Sequence, residues 1–143
     1  MKRYLVIVAI ILAVVAIAYF GSIASRQISP KRTALTLLQT LEKDHVTDDS
    51  GVTRSRGIST DHLFTENVRV DSFARVSLFM IAGYGKSVYR SGVNVRESSS
   101  SDAVVTVDVG DHPVTLVLEK HGGKWYISCM VSYADVSNCY EGK

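Results

Sequence analysis

The side chains that could do chemistry in this chain are few and scattered. The histidines His45, His62, His112 and His121 and the cysteines Cys129 and Cys139 show no metal-ligand spacing: there is no His-Glu-x-x-His, no Cys-x-x-Cys and no acidic calcium loop. Asp61-His62 is the strongest acid–base candidate, a carboxylate beside an imidazole near a helix start that could face a pocket. The plainer reading puts Asp61 in a first helical turn and His62 in solvent. His121 and Cys129 do not make a nucleophile pair, because strand alternation points Cys129 to the core face. Arg54 and Arg56 alternate with Ser55 and could meet an anion or be solvated. Gly83-Tyr84-Gly85 lacks the third glycine and preceding strand of a dinucleotide fingerprint. No catalytic residue, cofactor or metal is assigned, and an enzyme is the less favoured reading.

The elements that must position these residues begin with Lys2-Arg3-Tyr4 and the 16 uncharged residues Leu5–Phe20; no charge occurs between Arg3 and Arg26. As a helix, residues 5–24 would rise about 30 Å, one hydrocarbon core. The expectation is a membrane anchor or signal over residues 1–25, with residues 4–24 in the bilayer. Two outcomes stay open: a single-pass anchor in a bacterial inner membrane with the remainder in the periplasm, or secretion after cleavage behind Ala24. Residues 26–143 form one domain with its core at about 29–133 and a tail at 134–143. In an exported chain an even cysteine count points to a Cys129–Cys139 disulfide.

Ser29-Pro30 opens a helix, with Ser as N-cap, Pro at the first position and Ala34, Leu37 (or Leu38) and Leu41 as one stripe fading near Lys43–His45. Residues 47–60 read as a loop or the ragged entry to a second helix, and Ser59 or Thr60 caps a helical turn through His62–Phe64. Asp71 caps a third helix over 71–85, bearing Phe73 and Met80, although residues 76–81 (Val-Ser-Leu-Phe-Met-Ile) also have strand character. Beyond Lys86 the period becomes two. Strands are expected around Val93–Val95, Val105–Val109 and Val114–Leu118. The last strand places Trp125, Ile127, Cys129, Val131 and Tyr133 on one face. The fold class is α+β, with helices packed on one face of a curved antiparallel sheet of about four strands.

Helices followed by a four-stranded meander ending in Gly122-Gly123-Lys124-Trp125-Tyr126-Ile127 resemble the nuclear transport factor two-like superfamily, the cystatin-like cone, and in particular its small exported bacterial members of unknown function. The last strand of those proteins reads Gly-x-Trp-apolar-Ile, and the Ser29-Pro30 helix with Leu37, Leu38 and Leu41 matches their first helix. The resemblance covers about residues 29–133. It implies a pocket between sheet and helices, which some members use as isomerases or dehydratases through an Asp or His and others only to bind. Membrane-anchored members include an assembly factor of type IV secretion systems, whose cytoplasmic segment is longer than Met1–Arg3.

The expected function is therefore a membrane-anchored, extracytoplasmic, non-enzymatic binding or assembly module with a protein partner or a second copy of itself. The alternatives are a small apolar ligand held in the cone beside Phe73, Met80 and Trp125, and an isomerase or dehydratase using Asp61 and His62. Charge bears on partners. Of 16 basic residues, two precede the apolar run; the other 14 equal the 14 acidic residues, so residues 26–143 are formally neutral. That argues against nucleic acid, which needs a basic stripe, and against acidic lipid as a target.

Overall fold

The structure is a computed structural model that describes residues 2–24, 27–76, 92–108, 113–132 and 135–140. Helix α1 spans Lys2–Ala24, 23 residues. Its described side chains, 6–19, are apolar and exposed around the whole helix. That stretch rises about 21 Å against a hydrocarbon core of about 30 Å. Among the described residues no helix is long and apolar enough to cross a membrane.

Helix α2 (Pro30–Asp44) starts as its residues dictate. The Ser29 Oγ accepts the Arg32 N–H at 3.2 Å, and Pro30 occupies the first turn. Its buried face carries Ala34, Leu37 and Leu38. The next segment is not the loop or helix entry expected of it. β1 (His45–Thr47) and β2 (Thr53–Ser55) form an antiparallel hairpin. Asp48 closes it: its Oδ1 accepts the N–H groups of Ser50 and Val52, each at 3.0 Å, the Asx geometry that lets a polar run turn. A 3₁₀ turn follows at Asp61–Leu63, where Leu63 is fully buried.

β3 (Phe64–Val70) is a strand that the sequence reading lacked, and it changes the sheet. The sheet has five strands in the order β3-β7-β6-β5-β4 and is mixed, because β3 lies parallel to β7. The expected all-antiparallel four-stranded sheet is corrected accordingly. The expected meander itself is present: β4 (Val93–Ser98), β5 (Asp102–Val107), β6 (Val114–His121) and β7 (Lys124–Ser132) pair antiparallel in turn. Gly122 and Gly123, at φ +56° and +80°, make the two-residue turn between β6 and β7. Residues 72–76, here α3, are helical and capped as expected, the Asp71 Oδ1 accepting the Phe73 N–H at 3.2 Å. The remainder of the expected third helix, Met80 included, lies outside the described residues.

One residue decides how the sheet packs. Val117 pairs with Cys129 and Leu118 with Ile127, so Ser128 is an extra residue on β7. A bulge of this kind inverts the alternation beyond it. Trp125 and Ile127 therefore face α2 with Leu116, Leu118 and Met130. Cys129 and Val131 face the other way and pack with Val117, Val136 and Cys139. This overturns the assignment of Trp125, Ile127, Cys129 and Val131 to one face and the core-facing Cys129; Tyr133 lies outside the described residues. It also overturns the expectation that helices lie on one face alone. α4 (Ser137–Tyr140) covers the opposite face, tied there by the Cys129–Cys139 disulfide with its Cα atoms 5.7 Å apart.

Candidate functional site

A cleft of about 620 Å³ opens between α2, the β1–β2 hairpin and β3. Each wall follows from the local fold. α2 supplies Leu37 and Leu41, one helical turn apart on the face that continues toward the sheet. β3 supplies Phe64, Val68 and Val70, and β7 supplies Met130, turned to this side by the Ser128 bulge. Ile58 closes the floor from the link after β2. The polar rim is Asp44, His45, Ser55, Thr60, Asp61 and Arg75.

Asp44 is the most constrained of these. It is 6% exposed, at the last position of α2. Its Oδ2 accepts the Ser55 hydroxyl at 2.7 Å and its Oδ1 the Ile58 N–H at 2.7 Å. The Arg56 N–H binds the Asp44 backbone carbonyl at 2.8 Å. The Ser55 hydrogen bond, followed by that of Ile58, holds the carboxyl below its ordinary pKa, outweighing the opposing effect of burial. Asp44 is thus a clasp that fastens the hairpin and its exit onto the end of α2. A carboxylate stabilised in this way is a poor proton acceptor. The adjoining His45 has a largely buried side chain, and its Nδ1 lies 2.7 Å from the Leu41 carbonyl. A carbonyl oxygen only accepts, so Nδ1 is the protonated ring nitrogen in this pose.

Of the residues singled out from sequence, Asp61 lines the cleft while His62 is exposed and is not part of its wall. The two are not brought together as an acid–base pair. Instead Asp61 shares the rim with Asp44, His45 and Arg75. Trp125 is buried in the core, with Lys120 Nζ 5.7 Å from its ring centre, and does not line the cleft. Phe73 is 53% exposed and takes no part in the described core. Arg54 is an exposed side chain 3.8 Å from Asp48. Among the described residues no cluster of three His, Cys, Asp or Glu side chains could hold a metal ion.

Asp44 and His45 were read only as part of a fading helix end. Their signal was a misfit. An acid in the last turn of a helix opposes the macrodipole, so it needs donors from elsewhere, here Ser55 and Ile58. The cleft as a whole combines an apolar lining with polar and charged side chains, a surface that can enclose an apolar group. No protein family, characterised protein or solved structure matches this chain.

Proposed function

We propose that this protein is a binding module anchored in a bacterial inner membrane by residues 4–24, with its α+β domain on the periplasmic side. One observation carries the reading: α1 presents apolar side chains to its surroundings on every face, from Val6 at 59% exposed to Tyr19 at 64%. A helix that is apolar all round is stable inside a core or in lipid, not in water. The charge-free stretch from Tyr4 to Ser25 is long enough for that role. The Cys129–Cys139 disulfide supports an oxidising compartment. The nuclear transport factor two-like resemblance belongs to the same proposal, supported by the helix-then-meander order and by a cleft between helix and sheet. Binding is favoured over catalysis because the most buried acid of the cleft, Asp44, is already satisfied by its own fold.

Expression of the full chain in bacteria, membrane fractionation with an alkaline wash, and intact-mass measurement test the reading. The expected result is a full-length chain that stays in the washed inner membrane and whose domain is cut by protease added to spheroplasts. Full-length chain in the soluble fraction would overturn the anchor. A mature chain beginning at Ser25 would establish secretion instead.

The cleft supports a second reading, a small apolar ligand between α2 and β3. Native mass spectrometry of the purified chain should then show a bound apolar molecule that Leu41→Arg displaces. An unliganded spectrum, together with no enhancement of an apolar dye, would remove it.

A further inference from the structure

We propose that the cleft binds a short apolar peptide by its free termini, the α-ammonium group at Asp61 and the α-carboxylate at Arg75. The proposal rests on the reading of the cleft as a site for an apolar ligand and names the class of that ligand.

The fold leaves two charges of the cleft without partners. Among the described residues four ionisable side chains line it: Asp44, His45, Asp61 and Arg75. Both carboxylate oxygens of Asp44 already accept hydrogen bonds, from Ser55 and Ile58, and the His45 Nδ1–H is held by the Leu41 carbonyl. The Asp61 carboxylate and the Arg75 guanidinium make no hydrogen bond or ion pair with any described residue. Each nevertheless stands on a short helical turn moored by a buried neighbour. Asp61 opens the 3₁₀ turn in which Leu63 is fully buried and donates its N–H to the Thr60 carbonyl at 2.9 Å. Arg75 follows the fully buried Ala74 in α3, and its N–H binds the Asp71 carbonyl at 3.0 Å. Asp71 is in turn fixed to β7, its N–H donating to the Met130 carbonyl at 2.9 Å and its Oδ2 accepting the Ser132 hydroxyl at 2.6 Å.

Their order along the chain sets what can lie between them. Asp61 precedes β3 and Arg75 follows it, so the two charges reach the cleft from the two ends of that strand. Between them lie Phe64, Val68 and Val70, with Met130 of β7 and Leu37 and Leu41 of α2 across the cleft. Phe64 pairs with Ile127 and Val70 with Met130, three residues further along β7, so this apolar strip is about 10 Å long. A ligand that matches the whole cleft is apolar over about that length, cationic at one end and anionic at the other. A peptide of three or four apolar residues has this form. At about 3.3 Å per residue it spans the strip, and its ammonium and carboxylate meet charges of complementary sign. A fatty acid brings a single charge, and a zwitterionic phospholipid carries both of its charges at one end; neither matches. β3 is also an edge of the sheet, and strand edges favour an extended peptide backbone.

The test titrates the tripeptide Leu-Leu-Leu, its N-acetyl form and its C-terminal amide into the full chain in phosphatidylcholine vesicles, with calorimetry as the readout. The free tripeptide should bind, and each cap should weaken it about fivefold, the upper end for an ion pair at a surface. Asp61→Asn should weaken the free tripeptide to the same degree and become indifferent to the acetyl cap while still sensing the amide. Arg75→Gln should show the converse. Both substitutions change exposed side chains and should leave Tm unchanged. Leu41→Arg should abolish binding of all three peptides. Equal binding of free and capped peptides would overturn the proposal and leave the apolar-ligand reading standing. So would no binding of Leu-Leu-Leu by a chain that still enhances an apolar dye beyond the level of Leu41→Arg. Neither peptide binding nor dye enhancement would remove both.

Discussion

Reducing the Cys129–Cys139 bond should loosen one face of the domain and lower the stability of the whole. The two residues are 10 apart in sequence. Closing a loop of that size removes about 9 cal/mol/K from the unfolded chain, or about 2.7 kcal/mol at 25 °C. For a domain of this size the loss corresponds to roughly 8–13 °C in Tm. The local effect is sharper. α4 is four residues long, far below the length at which a helix holds itself together. What else keeps it on the sheet is the burial of Val136 and Cys139 against Val117, Cys129 and Val131, and an exposed hydrogen bond from Arg69 Nη1 to the Asn138 carbonyl at 3.2 Å. Thermal unfolding with and without reductant measures the first effect. Exchange of the Cys139 amide, bonded to the Val136 carbonyl at 2.9 Å, measures the second. Both should change together, the amide exchanging freely in the reduced chain while the β5–β6 amides stay protected. Equal Tm values and a still-protected Cys139 amide would refute the argument, since α4 would then be held by its packing alone.

Deleting Ser128 should restore simple alternation in β7, carrying Cys129 toward α2 and away from Cys139; the check is a count of free thiols under denaturing, non-reducing conditions, which should rise from none to two. Asp44→Asn should cost about 1–3 kcal/mol, because an amide cannot accept from both Ser55 and Ile58, and the loss should appear in denaturant melts and as faster exchange across β1–β2. Acid should destabilise the domain in a defined window. Asp44 and Asp71 both have folded pKa values below their ordinary 3.8, through the Ser55 and Ser132 hydrogen bonds respectively. Their contribution is therefore fully present above that value and lost as pH falls below it toward the folded pKa values; melts from pH 6 downward should be flat and then fall, and Asp44→Asn should make the fall shallower.

Local chemistry was the legible part of this fold. Ser29-Pro30 announces the start of α2, the Gly122-Gly123 pair announces the last hairpin, Asp71 announces α3, and alternation from Val93 onward announces the meander. Each signal is complete within a few residues. β3 was hidden because Phe-Thr-Glu-Asn-Val-Arg-Val alternates poorly. It is a half-exposed edge strand whose pairing with β7 shifts register between Phe64 and Arg69, so few of its positions must be apolar. Its partner is also some sixty residues away, and a parallel pairing leaves no turn signature in the sequence between. A pocket between sheet and helices was expected from the resemblance, but its lining was hidden for the same reason, since β3 builds one of its walls.

The disulfide was expected from the correct cysteines but on the wrong face, and the discrepancy explains why the bond matters. Had β7 alternated without interruption, Cys129 would face α2, and Met130 would turn away from both the core and the cleft it now lines. The extra residue at Ser128 exchanges these two positions. It gives the α2 side Met130, and it gives the opposite side a patch of Val117, Cys129 and Val131 that would otherwise meet water. A patch so placed needs a cover, and α4 with Val136 supplies it. A four-residue helix cannot supply enough apolar area by itself. The covalent bond does what area cannot, holding Val136 and Cys139 over the patch. The bulge, the cleft wall and the disulfide are therefore one device. Any change that removes the bulge should disturb the cleft and the C-terminal cover together, although they lie on opposite faces of the sheet.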